Sequence, residues 1–485
     1  MTLLLNICKI LNFDHFQQIE LLNYSLKKLK LRERYCLNSL QTGLYFYRQR
    51  PKIQEFEFNI STCLIYSFSP NIEENVAEKL LEKKKENILV ANSPAIIWFK
   101  DKLFLLIRIW LVNERYDGAS VHIEPHNTFA DNFFYTRQYN YKMKPITVGR
   151  LLGMATGIKW PIGSGPIEPR LFVVENKLYA SFNAAISVNN SFSMDSTYLW
   201  SFEDEKILYP QILESNILLQ GLKSDGMVRD KHWMALSPSN IKQSTEKTIL
   251  KGENIYFVQS LDPLLIMKCY RTKSSKLPCY YTRTSCVYKN YEQKFNSAIF
   301  HDIKSHLRGG TPFIQHDPDY PQYYISIAHS TYFLQNGTRY YTTNFIIMYV
   351  CDNENLVNDS NLHLSDSDCS RIIYISDDLK IDTKVMEKYP ILRSKYIHYN
   401  FIFPVSLISE YPHFIMGVHV NDYASVLIKL KHFGKLVDEI IQFDISNSIY
   451  IHDIPFDQKN FLNPYFLNKI MAIRTVNQSG LPLEI

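Results

Sequence analysis

From about residue 88 onward the chain is built of short apolar runs, alternating or rich in β-branched and aromatic residues. Asn, Asp, Pro and Ser break these runs at close intervals, which is the pattern of an all-β domain. The earlier residues read differently. Over 1–50, Leu and Ile recur at helical spacing, and 73–87 (EENVAEKLLEKKKEN) reads as a short charged helix. Later helical spacing is confined to short pieces such as 383–395. The cations Lys27, Lys28, Lys30, Arg32 and Arg34 form either a solvated helix face or a phosphate or membrane patch.

Aligning the strands by what precedes them reveals an irregular repeat. Asn92-Ser93-Pro94 precedes DKLFLLIR (101–108), and Glu168-Pro169-Arg170 precedes NKLYASFN (176–183). Asp230-Lys231-His232-Trp233 precedes ENIYFVQS (253–260) after a longer insert. Arg308-Gly309-Gly310-Thr311-Pro312 precedes QYYISIAH (322–329), and Phe403-Pro404 precedes PHFIMGVH (412–419). Each unit is a polar or proline-bearing turn followed by a strand. Five such units predict a five-bladed β-propeller over 88–485, behind a small, mainly helical N-terminal extension at 1–87. The competing architecture is a pair of β-sandwiches.

Composition narrows the function classes. The net charge is +5, too weak a balance to imply nucleic-acid binding. Gly is scarce, 16 of 485 residues, whereas Tyr and Phe number 33 and 29, so glycine-bearing motifs stand out. The eight Cys form no metal-spaced cluster. Cys269, Cys279 and Cys286 lie close enough along the chain for disulfides, as do Cys351 and Cys369. The apolar start Met1 to Leu11 reads as a helix start, a poor signal peptide or the remnant of an anchor. With Asn-X-Ser/Thr sequons at Asn23, Asn59, Asn189, Asn336, Asn358 and Asn477, it slightly favours a secretory or Golgi route over the cytoplasm.

Candidate chemistry clusters in the repeat turns. In 165–172, Glu168 is fixed by Pro169 beside Arg170, either a catalytic acid next to an anion fork or a structural salt bridge. In 230–238, Lys231 offers a phosphate contact and Trp233 a sugar-stacking face, or Trp233 is a core residue. Asp262 is a second proline-fixed carboxylate. Gly309 and Gly310, beside Arg308, permit close backbone approach and an anion nest. His329 ends an apolar strand at the position equivalent to Arg108, and His419 and Asp422 recur in the same way. A site with Arg108, Arg170, Lys231, Arg308 and His329 suits a phosphate or a sugar-nucleotide diphosphate.

The order of these motifs (EPR, DKHW with SP, SLDP, RGGTP, AHS, GVHVND) resembles the β-1,2-mannoside phosphorylase and β-1,2-mannosyltransferase superfamily over roughly 88–440. That resemblance implies a five-bladed propeller with its site in the central channel and inverting chemistry at mannose. The phosphorylases cleave β-mannosides with inorganic phosphate. The transferases build β-1,2-mannose links from GDP-mannose or mannose 1-phosphate. The family's Glu-Asp-Pro-Arg reads Ile167-Glu168-Pro169-Arg170 in this chain, so Glu168 takes the catalytic position with one extra methylene, and the preceding acid is apolar. Arg170, Lys231, Arg308 and His329 match phosphate- or donor-contacting positions. Asn92, Arg108, His232, Trp233, Asp262 and Asp422 match sugar-facing ones.

The expectation is an inverting β-mannosyltransferase with a mannose-containing glycan acceptor and no metal. The alternatives are a phosphorylase or hydrolase on the same scaffold, and a non-catalytic glycan-binding propeller.

Overall fold

The computed structural model describes residues 33–35, 40–44, 55–58, 63–67, 87–113, 115–116, 121–122, 129–141, 144–152, 166–189, 192–212, 229–230, 233–237, 254–261, 264–284, 307–333, 339–350, 370–379 and 399–448, with a few single positions between. Almost all of this is β-strand, and successive strands pair antiparallel into meanders. The first unit runs Asn87–Phe99, Lys102–Asn113, Phe129–Tyr139, Arg150–Leu151. The second runs Ile167–Val174, Lys177–Asn189, Phe192–Ser201, Lys206–Ile212. The third runs Met234–Ser237, Asn254–Leu261, Leu264–Tyr270, Lys276–Thr284.

The fourth unit opens on Leu307–Gly310 and Phe313–Gln315 and continues through Tyr323–Phe333, Arg339–Tyr349 and Arg371–Asp378. The fifth runs Ile402–Glu410, His413–Val420, Ala424–Leu430. The opening strands follow one another in space: first beside second, second beside third, third beside fourth, fourth beside fifth, and fifth beside first.

The repeat found in the sequence corresponds to one structural device. In the first, second, fourth and fifth units the opening strand carries a register shift at its turn motif: Asn92/Ala95, Ile167/Arg170, Arg308/Gly310 and Pro404/Ser406. Such a bulge re-aims the side chains around it. At two of the shifts a residue before proline takes a left-handed φ: Ser93 (58°) and Glu168 (54°). A residue inside the next strand then pairs opposite the bulge. The pairs are Asn92 with Arg108, Ile167 with Asn183, Arg308 with His329, and Phe403 with His419.

The helix expected over 1–50 gives way to strands at Glu33–Tyr35 and Leu40–Leu44. Glu55–Phe58 and Cys63–Ser67 are strands as well. Cys63–Ser67 adds a fourth strand to the fifth unit along Ala424–Leu430, and Leu40–Leu44 pairs with Arg371–Asp378. The free edges of those two strands recruit the segment, so strand pairing overrides weak helical spacing. The helix expected over 73–87 lies outside the described residues except at Asn87, which opens a strand, and nearly all of the piece at 383–395 lies outside them too. A helix not anticipated runs from Phe433 to Ser448, with Phe433, Leu436, Val437, Ile440 and Ile441 buried against the fourth and fifth units. Its apolar positions recur at i, i+3, i+4, i+7 and i+8, the spacing of an amphipathic helix. His316 Nε2 and Asp438 Oδ1 (2.6 Å), and the Tyr323 hydroxyl donating to Asp444 Oδ2 (2.8 Å), fasten it.

Aromatic residues fill the spaces between units. Phe134 of the first unit meets Phe182 of the second edge to face, and Phe172, Phe257 and Trp233 join the second to the third. Cys269 and Cys279, opposite one another across two strands of the third unit, form a disulfide. Gly310 is fixed by packing, since a Cβ there would collide with Ile327 O and Ala328 Cα. Gly310→Ala therefore lowers stability by at least about 2 kcal/mol, read as a lower urea midpoint.

Burial and the cations Lys429 and Lys431, with His432, hold the His413 imidazole down at about 4, against an ordinary 6.5. The unfolded chain takes up that proton first, so stability falls as pH drops from about 6.5 towards about 4. His413→Gln flattens this dependence, measurable as urea midpoints at pH 7 and pH 5.

Candidate active site

Asn92, Glu168, Arg170 and Arg308 lie at the bulges of the opening strands, and Arg108 and His329 on the strands paired with them. Arg170 is the hub. Its side chain is buried, with 1% exposure, and its Nε donates to the carbonyl of Gly310. Its Nη1 donates to the carbonyl of Glu168 at 3.0 Å. Its Nη2 is buried and has no hydrogen-bond partner among the described residues. Burial pulls the guanidinium below its ordinary range, and the neighbouring Glu168 charge pulls it back up. One guanidinium thus ties the Glu168 turn to the Gly309-Gly310 turn.

His329 approaches the same dipeptide. Its Nδ1 hydrogen-bonds the carbonyl of Gly309, so in the neutral ring Nε2 is the acceptor nitrogen, and only the protonated ring donates at both. The glycine pair therefore offers carbonyl oxygens to Arg170 and His329, and its close approach is to the neighbouring strand. Arg308 lies opposite His329 in the register, with only its backbone described.

Glu168 is half-buried, and its Oε2 accepts from Asn183 Nδ2 at 2.6 Å. Thr197 Oγ1 donates in turn to Asn183 Oδ1 at 3.2 Å. The left-handed backbone at Glu168, followed by Pro169, directs this side chain across to the next strand.

The first and fifth units meet in the same manner. Asn92 Nδ2 donates to the carbonyl of Asp422. The adjoining backbone is held by Ser406 Oγ donating to Pro94 O (2.9 Å) and Ser425 Oγ to Ala91 O (3.0 Å). Asp422 Oδ1 lies 3.5 Å from His419 Nδ1. Arg108 is buried, its Nε donating to Asn132 Oδ1 at 2.7 Å. Phe403 stands between the two imidazoles, 4.3 Å from His329 and 4.9 Å from His419 between ring centroids.

The contacts thus link second to fourth unit (Arg170, Gly310), fourth to fifth (His329, Phe403) and fifth to first (Asp422, Asn92). Lys231, His232 and Asp262 lie outside the described residues. Trp233 is corrected from a sugar-stacking residue to a core one. It is 2% exposed and packs against Phe257, because the strand it leads into turns both faces to apolar neighbours. Asn183, Thr197 and Asn132 were not selected from the sequence. Asn183 carried a readable signal, since it pairs opposite the bulge of its unit as Arg108 and His329 do in theirs. Among the described residues no group of three or more His, Cys, Asp or Glu side chains is placed to hold a metal, and no helix is long and apolar enough to cross a membrane.

No family model matches the chain, and no curated protein matches it. Solved structures do. It is similar to the β-1,2-mannobiose phosphorylase of Listeria innocua in complex with β-1,2-mannobiose, at 11% identity and TM-score 0.35, covering 78% of this chain and 98% of that one. It is similar to MPT-1, a GDP-Man-dependent mannosyltransferase of Leishmania mexicana, at 8% identity and TM-score 0.36, covering 74% and 94%. It is similar to MPT-4, a mannose phosphorylase of Leishmania mexicana in complex with phosphate, at 10% identity and TM-score 0.31, covering 70% and 83%. Mannoside phosphorylases and a mannosyltransferase are thus among the solved structures that the chain resembles.

Proposed function

We propose that the five meanders are the blades of one propeller and that the chain is an inverting β-mannosyltransferase. The carrying observation is the Arg170 guanidinium, which joins the Glu168 turn to the Gly309-Gly310 turn with Nη2 left over. A carboxylate and an anion-seeking donor thereby share one rigid junction. Glu168 takes the proton from an acceptor hydroxyl, whose oxygen attacks the anomeric carbon of the donor mannose. The bond to the donor phosphate breaks, and GDP or phosphate departs with the electron pair. Negative charge grows on the leaving oxygen, where Arg170, His329, Lys231 and Arg308 stabilise it without a metal. Asn92, Arg108, His232, Asp262 and Asp422 complete the sugar subsites. The buried Cys269–Cys279 disulfide supports an oxidising, secretory location.

Run in reverse, with inorganic phosphate as attacking group, the same geometry is that of a phosphorylase. Purified protein incubated with mannose oligosaccharides and either GDP-mannose or mannose 1-phosphate distinguishes the readings. GDP or phosphate release with chain extension supports transfer. Phosphate-dependent shortening supports phosphorolysis. Oligosaccharide binding with neither reaction identifies a glycan-binding propeller.

A further inference from the structure

Asn183 is the group closest to the chemistry that the motifs did not single out. It is buried, at 1% exposure, and its position repeats those of Arg108, His329 and His419. Those three slots hold cations or imidazoles, and this one holds an amide. Its two ends are distinguishable. Thr197 Oγ1, 3.2 Å away, gives its hydroxyl proton to Oδ1. The carboxylate of Glu168 only accepts, so it holds the amide NH2 toward Oε2, 2.6 Å away, and leaves Oδ1 to the hydroxyl. An amide donates at every pH and cannot accept a proton from the acid. A protonated Glu168 would gain far less from this donor than the carboxylate does, so the contact favours the ionised form.

Building on the Glu168 base proposed above, we infer that Asn183, supported by Thr197, is a positioning residue that keeps Glu168 ionised and aimed, which commits it to the base role. A cation in this slot would capture the carboxylate in an ion pair, and a carboxylate would force the two acids to share a proton. The amide avoids both outcomes, and the Thr197 hydroxyl donating to its Oδ1 strengthens the NH2 as a donor. The preceding position, apolar Ile167, brings no second acid into competition.

The test is a titration of the Glu168 side-chain carboxyl carbon in 13C-glutamate-labelled protein, assigned by its loss in Glu168→Gln. Alongside it goes the pH profile of kcat/KM for transfer. In Asn183→Ala the Glu168 titration and the acid limb of kcat/KM both move up by about one pH unit, because the ionised acid loses its donor. Asn183→Asp moves them further, and Thr197→Val, of nearly the same shape as threonine, gives a smaller rise in the same direction. Well above the limb, kcat/KM of Asn183→Ala returns to within about tenfold of the unsubstituted chain. An unmoved Glu168 titration in both Asn183→Ala and Thr197→Val overturns the inference. Absence of turnover in the unsubstituted chain overturns the transferase reading instead, and the carboxyl titration still decides the role of Asn183.

Discussion

Turnover of the Glu168→Gln chain falls by about three orders of magnitude, a typical span for general acid–base catalysis, while donor affinity stays within a few-fold. The amide keeps the length and shape of the glutamate side chain but has no basic oxygen to receive the acceptor's proton. The junction around it survives, since Arg170 binds the backbone carbonyl of residue 168 rather than its carboxylate. The substitution therefore separates chemistry from architecture. Steady-state kinetics give the first quantity and calorimetric titration with the donor the second. Unchanged turnover removes Glu168 from the mechanism. Lost donor affinity would mean that the carboxylate serves binding instead.

Replacing Arg170 acts on architecture and site together. Arg170→Met leaves the carbonyls of Gly310 and Glu168 buried without their donor. Each such orphan costs about 1–3 kcal/mol, so the urea midpoint drops by an amount equivalent to about 2–6 kcal/mol. Arg170→Lys keeps the charge and can reach one carbonyl, yet it has no planar fork to span both turns and a ligand. It recovers part of the stability, and its turnover remains reduced by about a hundredfold, the scale of losing one preorganised donor to a growing anion. If Arg170→Lys restored full activity, bidentate geometry at this position would be irrelevant and charge alone would suffice.

The repeat was legible because its physical cause is local. A bulge needs a polar, glycine or proline-bearing turn, and the residue opposite it is mostly a polar one that interrupts the apolar run of the next strand, so both leave marks at similar offsets. Glu168, Arg170, Gly310 and His329 were readable for that reason. Asn183 was aligned and passed over, because an amide has no charge to draw attention and its meaning depends on which atom it faces. Trp233 was ambiguous, as an indole preceding a strand suits core and sugar alike, and burial against Phe257 decided it.

The strands of residues 33–67 were illegible for a different reason. They exist through pairing with Arg371–Asp378 and Ala424–Leu430, hundreds of positions away, and local spacing carries no trace of such partners. The helix Phe433–Ser448 is the reverse case, with a local apolar stripe that directly follows a β-rich stretch.

The most direct measurement is product analysis of the purified chain supplied with GDP-mannose and a mannose oligosaccharide. The predicted result is GDP released one for one with an oligosaccharide extended by a β-linked mannose, and both products formed about a thousandfold more slowly by Glu168→Gln. No GDP release and no extension, with mannose 1-phosphate equally inert as donor, would contradict the transferase reading outright.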